Sequence, residues 1–489
     1  MRENGHKGMR KGMTESMVQN AGKILARVLI PGFGLQILLG VLWACLQFPY
    51  VQEFGESLLL QKAAETFTCD EYMGIAYLLV IRAAKALSFL IPLPEHCFIY
   101  AAQLLAATAA AIFFLNSLES VRARGKLFRV WAVLALLTLP MAMQCHLAVL
   151  PHSPATSLML MQLGVSLRSR KAKGKEALLL TACGLLWLGE TLLLPSFEFL
   201  GGAVFVWTGL RDVLRRLPVR GEGAAARQAG ADLQGAVRLL LLCGAMAGLV
   251  IQIGAFSRQE GAHGRMQNSL QAAAFRRFVW DDFGELYADW PAELKEALTQ
   301  EEIAECNKYP ERKSRILGEK VDGVYGRERA REIYWTVAKA GMRIRWKRNL
   351  KEILMDGAGY GAAPLANLIL MEGKGQKSYA AMNYEVMRMK APKVTSLYVR
   401  FGGWLFGGAA LISLLLLVMA FLKADGAERT ELARAGAPLL MLCVVFVLFF
   451  TFQGGGVMDH KNVLPVTTLW AAWAMAEAAF WVGKKDDGN

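Results

Sequence analysis

The segment YMGIAYLLVIRAAKALSFLI, residues 72–91, decides how the rest of the chain is arranged. It is long and apolar enough to cross a membrane, but Arg82 and Lys85 lie near its middle. Each of these cations would cost about 2.5–3.5 kcal/mol at the centre of a bilayer. Because they are three residues apart, they share one face of a helix. The pattern therefore predicts an amphipathic helix that lies in the membrane interface and does not span it.

Blocks of apolar residues in the rest of the chain predict membrane-spanning helices. The sequence is 54% hydrophobic with a mean hydropathy of +0.31. The apolar residues gather into blocks of roughly 17 to 24, enough for a helix to cross about 30 Å of hydrocarbon. We therefore predict an all-α polytopic membrane protein with about ten transmembrane helices. The predicted spans are residues 24–47, 97–118, 130–150, 152–167, 176–194, 197–213, 236–255, 399–422, 436–456 and 463–483.

Positive charge in the loops predicts the orientation of these helices. Three short loops are dense in Lys and Arg, whereas the loops that alternate with them, such as 151–154 and 195–199, are nearly bare. Loops rich in Lys and Arg stay on the cytoplasmic side. With the basic N-terminus also inside, this alternation holds only if residues 72–91 do not span. The dense loops carry Arg122, Arg124, Lys126 and Arg129; Arg168, Arg170, Lys171, Lys173 and Lys175; and Arg211, Arg215, Arg216, Arg220 and Arg227.

The predicted layout has four parts. Residues 1–23 form a cytoplasmic N-terminal tail, and residues 24–256 form a membrane module whose first outer loop is 48–96. A mostly helical extracytoplasmic domain, 257–398, separates the seventh and eighth spans. Residues 399–489 hold the C-terminal membrane helices and a short cytoplasmic tail. This layout predicts an integral multi-pass plasma-membrane protein with both termini in the cytoplasm.

Local signals predict helices in the domain 257–398. Pro291 opens one helical run, and Thr299 with Glu302 has the spacing of a capping box. A row of apolar residues keeps one helical face: Ile333, Val337 and Ile344. The tryptophans are suited to stacking on sugar rings, but we expect most to fill the core of a small domain. They are Trp280, Trp290, Trp335 and Trp346.

Several function classes have no signal. Most of the excess in the formal net charge of +14 sits in short loops, where it is a topology signal, so no nucleic-acid partner is predicted. Neither a C-x-x-C pair nor a phosphate-binding glycine loop occurs. The spacing of the histidines matches no ligand motif, so neither a metal nor another cofactor is expected. Cys69 and Cys97 would both lie outside, as a disulfide or as two ordinary small residues.

Polar residues suited to chemistry collect at the predicted outer ends of the spans. They are Asp70, Glu71, His96, His146, His152, Glu190 and the run Asp459-His460-Lys461. Polar groups in or near a bilayer are costly, so their position is informative. Few acids lie near the predicted middle of the membrane. We therefore expect chemistry at the outer interface, and we do not expect a proton or ion path through the middle.

A first span followed by a long outer loop with Asp70-Glu71-Tyr72 and an interfacial helix resembles the GT-C class of membrane glycosyltransferases. Protein mannosyltransferases and aminoarabinose transferases of this class also have a large outer segment between the seventh and eighth spans. The resemblance covers most of the chain as architecture, but its motif is only three residues long. It implies a polyprenyl-phosphate sugar donor and a glycan, lipid or protein acceptor in the cell envelope. This chain departs from the class because residues 151–154 carry no acid and the outer domain matches no sugar-binding module.

Residues of the first outer loop suit such a transfer. We predict Asp70, next to Glu71, as the catalytic base that takes the proton of the acceptor hydroxyl. The departing polyprenyl phosphate needs cations, and three are candidates to bind it: Arg82, Lys85 and Lys461. Two histidines are candidates for the acceptor side: His152 and His460. One-base chemistry of this kind inverts the anomeric centre.

Other roles remain open for the same residues. Asp70 and Glu71 suit the start of a helix, whose dipole favours acids. Arg82 and Lys85 suit contact with anionic headgroups, and Asp459-His460-Lys461 suits a solvated turn. Two other functions also remain open. One is a transporter or flippase for a lipid-linked glycan, which predicts paired charges and broken helices near the midplane. The other is a non-catalytic membrane scaffold.

Overall fold

The structure, a computed structural model, is built from α-helices. It describes residues 27–46, 55–67, 74–169, 174–214, 226–257, 270–308, 310–361, 392–423, 443–445, 447–448 and 464–483. These residues are 91% helical and contain no β-strand. The predicted all-α class is therefore confirmed.

The helices fall into a bundle, α1–α11 with α18 and α19, and a separate group, α12–α17. The bundle helices are α1 (Arg27–Leu46), α2 (Gly55–Thr66), α3 (Ile75–Leu90), α4 (Glu95–Leu115), α5 (Glu119–Arg122), α6 (Lys126–Leu137), α7 (Pro140–His146), α8 (His152–Ser169), α9 (Glu176–Leu193), α10 (Glu198–Leu214), α11 (Ala226–Ser257), α18 (Pro392–Lys423) and α19 (Leu464–Gly483). The second group has α12 (Leu270–Val279), α13 (Ala292–Ala297), α14 (Gln300–Lys308), α15 (Pro310–Leu317), α16 (Gly323–Ile344) and α17 (Trp346–Gly361).

Several bundle helices have the length and composition of membrane spans. Among the described residues, four pass this test: α1, α4, α9 and the part Gln234–Gly254 of α11. The bent pair α6 and α7 adds a fifth if it is one span. Large apolar side chains on these four helices are 68% to 72% exposed: Leu38, Leu105, Leu178 and Leu241. Contact between such a surface and lipid tails costs no free energy, whereas contact with water is unfavourable. These are the features of a membrane-embedded protein.

Helix α8 runs through the centre of the bundle. It packs against α4, α9 and α10, while α9 also packs against α11. Because other helices surround it, α8 can carry polar side chains that never meet lipid, among them the buried Ser157, Gln162 and Ser166. This explains why α8, which corresponds to the predicted span 152–167, has a lower hydropathy than the lipid-facing helices.

The predicted span 130–150 is broken into α6 and α7. The two helices meet at an angle of 71°. Pro140 occupies the first turn of α7, and a proline there removes a backbone donor and disfavours helical geometry in the preceding residue. The carbonyl of Thr138, left by the break, accepts hydrogen bonds from Gln36 Nε2 at 2.6 Å and from the Tyr398 hydroxyl. Helices α1 and α18 thus satisfy a backbone group exposed inside the bundle.

The α12–α17 group has a hydrophobic core of its own, centred on α12 against α16. The capping box at α14 is confirmed: the Thr299 N–H donates to Glu302 Oε2 at 2.9 Å, and the Glu302 N–H donates to Thr299 Oγ1 at 3.2 Å. Ile333 and Val337 are buried as predicted, but Ile344 is 49% exposed. It is the last residue of α16.

The expectation that the tryptophans of this group fill its core is only partly right. Trp290 is buried, but Trp335 and Trp346 are exposed, and the side chain of Trp280 lies outside the described residues. Trp346 begins α17, a helix that follows a break at Arg345 and turns one side away from the core.

Candidate functional site

Helix α3 contains the two cations predicted to bind phosphate. Its residues Tyr77, Leu78 and Ile81 are buried among α2, α4 and α9, whereas Arg82 and Lys85 are exposed. Arg82 and Lys85 therefore share the exposed side of the helix, as the sequence predicts, but that side also carries exposed apolar residues such as Phe89 and Leu90. Helix α3 is not among the helices that are long and apolar enough to span.

Arg82 is bound to the carboxyl-terminal end of α2. Its Nε donates to the carbonyl of Ala64 at 2.6 Å, and its Nη2 donates to the carbonyl of Glu65 at 3.1 Å. The last carbonyls of a helix have no partner within the helix, and its dipole favours a cation there. The guanidinium also lies 4.5 Å from the centre of the Phe67 ring. Arg82 thus holds the residues that directly precede the segment of Asp70.

Lys85 is available for an exchange of partners. Its Nζ lies 3.1 Å from Glu65 Oε1, and the two side chains are 46% and 62% exposed. An ion pair in such contact with solvent is worth at most about 1 kcal/mol. Another anion can therefore replace Glu65 at low cost. Lys85 differs in this respect from Arg82, because two hydrogen-bond donors of Arg82 are already bound to backbone carbonyls.

Phe67 ends α2 in a conformation that favours glycine, with φ at 55°. Residues just past a helix often adopt this left-handed conformation, and glycine is the usual choice. A residue with a Cβ costs about 1–2 kcal/mol in this conformation. The contact with Arg82 offsets part of that cost. The contact with Arg82 therefore fixes the conformation of Phe67, the last described residue before Asp70.

Gly74 starts α3 against the end of α9. A Cβ on Gly74 would lie 2.2 Å from the Leu192 carbonyl oxygen and 2.3 Å from that of Leu193. No side chain fits so close to another backbone. The two described residues that flank the segment of Asp70 are thus each fixed: Phe67 by Arg82, and Gly74 by the end of α9.

A buried polar network fixes the connection between α7 and α8 next to α2 and α3. Gln103 of α4 accepts a hydrogen bond from the Tyr77 hydroxyl at 3.2 Å and donates to the carbonyls of His146 and Ala148. Ser57 of α2 donates to the Val149 carbonyl at 3.0 Å. The structure therefore brings the predicted first outer loop against the end of the predicted span 130–150, directly before residues 151–154. Sequence reasoning did not identify Gln103, although an amide in an otherwise apolar helix was a signal for it.

His152 begins α8 at this connection. Its side chain is only 5% exposed, and the neighbouring Ser153 is hydrogen-bonded to His146 Nδ1 at 2.7 Å. An acceptor-side role for His152 would require access from a surface that the surrounding residues cover in this structure.

Glu190 forms a second polar feature near the same end of α9. It is fully buried, and neither carboxyl oxygen has a hydrogen-bond partner among the described residues. Gly201 of α10 makes room for it, since a Cβ there would lie 2.4 Å from Glu190 Oε2. Gln162 of α8 donates to the Gly201 carbonyl at 2.9 Å. Three helices thus place two polar side chains against one glycine.

The other predicted site residues lie outside the described residues. They are Asp70, Glu71, His460 and Lys461. Of the predicted set, the structure therefore locates Arg82, Lys85 and His152. It brings Arg82 and Lys85 together at one helix end.

Comparisons of the chain with protein-family models, with curated proteins and with solved structures find no match. The resemblance to GT-C enzymes therefore rests on the order of the helices and on Asp70-Glu71-Tyr72.

Proposed function

We propose that the protein is a GT-C-like glycosyltransferase that moves a sugar from a polyprenyl-phosphate donor to an envelope acceptor. The observation that supports this best is the position of the cations: Arg82 and Lys85 both contact the end of α2, just before Asp70 in the chain. A base and the cations for a leaving phosphate must lie near each other for such a transfer. The chain offers both within one loop.

In the proposed reaction, Asp70 removes the proton of the acceptor hydroxyl as its oxygen attacks the anomeric carbon. The bond between this carbon and the phosphate oxygen breaks, and the polyprenyl phosphate leaves with the bonding electrons. Because this phosphate is a stable anion, it needs no general acid. Glu71 is the neighbouring acid, and His152 and His460 remain candidates for the acceptor side.

The two cations of α3 have different roles in this proposal. Lys85 exchanges Glu65 for the donor phosphate, with Lys461 as a second cation. Arg82 is a positioning residue, because its Nε and Nη2 already hold the end of α2. Lysine cannot reproduce this two-point contact. The pair thus offers a direct comparison between a binding and a positioning cation.

The membrane arrangement of the proposal follows the charge of the loops. We propose about ten spans, cytoplasmic termini and an extracytoplasmic domain at 257–398. A reporter enzyme that is active only outside the cytoplasm, fused after residue 361, tests the side of this domain. An inactive fusion there with an active one after residue 220 would reverse the arrangement.

The test of the function is genetic and chemical. A deletion strain receives the wild-type gene or Asp70→Asn, and mass spectrometry profiles its lipid-linked sugars and envelope glycans. We expect the deletion to lose one sugar from an envelope glycan, and Asp70→Asn to leave it lost although the protein is inserted. A wild-type profile with Asp70→Asn would exclude Asp70 as the base.

Three further variants separate the roles of the cations. Lys85→Gln removes the proposed phosphate contact and should raise the donor KM, whereas Glu65→Gln removes only its exposed partner and should leave transfer intact. Arg82→Lys keeps the charge but loses the two-point contact, so it should lower kcat. Equal effects of Lys85→Gln and Glu65→Gln would show that the ion pair, and not phosphate binding, is what matters.

A transporter or flippase is the second candidate, and two observations favour it. Helices α6 and α7 are a broken pair at 71°, and Glu190 is a buried acid without a partner among the described residues. Both features are typical of transport paths. In a deletion strain, membrane-impermeant periodate distinguishes the two functions. An unused donor of a transferase would accumulate outside and be oxidised, whereas untransported glycan would stay protected.

A further inference from the structure

Helix α17 has one side against the core and one side that is exposed in the part of the chain that the structure describes. On the inner side, Asn349 donates to the Gly341 carbonyl at 3.1 Å, and Asp356 pairs with Arg277. On the outer side, a row of apolar residues follows at a spacing of four: Trp346, Leu350 and Leu354. Each is about half exposed or more, at 57%, 48% and 64%. The helix is therefore attached through Asn349 and Asp356 and exposes this apolar row.

A basic row lies next to this apolar row. The basic row consists of Lys347 and Lys351, at a spacing of four residues on α17, and of Arg343 in the last turn of α16, before the break at Arg345; all three are exposed. Lys347 Nζ lies 5.7 Å from the centre of the Trp346 ring. We call the six residues of the two rows the α17 face. An aromatic and aliphatic stripe flanked by cations is the pattern of helices that lie in a membrane interface.

The chain itself keeps the α12–α17 group, which carries the α17 face, close to a membrane. Helix α11, with its apolar part Gln234–Gly254, precedes the α12–α17 group, and the apolar α18 follows it. From residue 254 to residue 270 the chain can extend at most about 55 Å. A surface tethered at this distance meets the membrane at a high effective concentration, so little entropy remains to be lost on contact.

We propose that the α17 face docks on the membrane surface and binds anionic phospholipid headgroups. Trp346, Leu350 and Leu354 enter the boundary between headgroups and acyl chains, and the basic row contacts the phosphates. The charge of the row selects anionic lipid over a zwitterionic surface. The proposal does not depend on the proposed transfer reaction.

The test places a photoreactive residue on the α17 face of the full chain. Benzoylphenylalanine replaces Leu354, and the protein is reconstituted in nanodiscs of phosphatidylcholine with or without phosphatidylglycerol. The matched control carries it at Val324, an apolar residue of the same group that is 66% exposed at the far end of α16. After irradiation, we expect a phospholipid adduct on the peptide with position 354 and not on that with position 324.

Charge provides the second arm of the test. The double variant Lys347→Gln/Lys351→Gln removes two cations that are each worth about fivefold in surface binding. The adduct at position 354 should therefore fall strongly in discs with phosphatidylglycerol and change little in discs without it. Protection of Cys306, buried in the core of the group, from alkylation shows that each variant is folded.

Three outcomes would overturn the proposal. Equal lipid adducts at positions 324 and 354 would mean contact without a preferred face. A crosslink from position 354 to another peptide of the chain, or to a second copy, would mean that protein covers the α17 face. Adduct yields that ignore both phosphatidylglycerol and the double variant would remove the role of the basic row.

Discussion

Gly74→Ala tests how α3 is seated on the bundle. Gly74 has φ of −74° and ψ of 133°, which alanine adopts without strain. The added methyl group would nevertheless lie 2.2 Å and 2.3 Å from the carbonyl oxygens of Leu192 and Leu193. These are backbone atoms at the end of α9 and cannot rotate away. Helix α3 must move outward, together with Arg82 and Lys85.

The expected size of this effect follows from overpacking. Extra methyl groups in packed sites cost about 1–3 kcal/mol. If this cost lowers the free energy of local opening of α3 by the same amount, the backbone amides of α3 exchange hydrogen about 5- to 150-fold faster. Hydrogen exchange with mass spectrometry, on the full chain in nanodiscs, measures this for peptides of α3. If the proposed function is correct, sugar transfer falls as well.

Gly125→Ala is the matched control for this experiment. Gly125 also precedes a helix, α6, with φ of −60° and ψ of 163°, and no heavy atom of the described residues lies within 4 Å of a Cβ placed there. Both variants share the effect of alanine on the helix start and on the unfolded chain. Their difference isolates the contact with α9. Equal exchange in α3 for both variants would refute the reasoning.

Three further predictions concern the α12–α17 group. Alkylation of Cys306 measures those for Thr299 and Asp356, because burial raises the pKa of this thiol to about 11 and iodoacetamide at pH 8 should modify it only after local unfolding. Rapid modification of the native wild type would contradict this. Thr299→Ala removes the capping box and should destabilise the group by about 1 kcal/mol, seen as faster alkylation, with no change if the cap is not formed in solution. Hydrogen bonds from the Thr299 N–H and from Lys320 lower the pKa of Glu302 from its ordinary 4.5, so the stabilisation by Glu302 is present above about pH 4.5 and is lost as pH falls through the lower folded pKa. Glu302→Gln should therefore flatten the acid dependence of the melting temperature, and an unchanged profile would show that another group causes this dependence. Asp356→Asn leaves Arg277, whose side chain is 2% exposed, without its carboxylate and should destabilise the group by up to about 3–5 kcal/mol, whereas Glu352→Gln, which breaks only an exposed pair, should have little effect.

The helices and their ends were largely predictable, because their signals are local. The capping box at Thr299 and Glu302 depends on residues three apart, and its two hydrogen bonds occur as predicted. The exposure of Arg82 and Lys85 on one side of α3 follows from their spacing of three residues in an apolar run. The predicted span 130–150 is in fact broken into α6 and α7, and Pro140 is the local signal for this break.

The partners of the candidate site residues were not predictable in the same way. The residues near Arg82 in sequence do not predict that it binds the carbonyls of Ala64 and Glu65, since many exposed arginines contact lipid or solvent instead. Nor does the sequence distinguish Lys85, whose partner is exchangeable, from Arg82, whose partners are backbone groups. These differences depend on the approach of α2 to α3.

The sequence by itself determined that this chain is helical, that several helices are apolar enough for a membrane, and where cations and acids lie along them. Only the tertiary structure decided that Gly74 abuts α9, that α8 is enclosed and so holds polar residues, and that Trp346 faces outward while Trp290 is buried. The physical reason is that periodicity tells which residues share a face of a helix, whereas packing between distant segments decides what lies against that face.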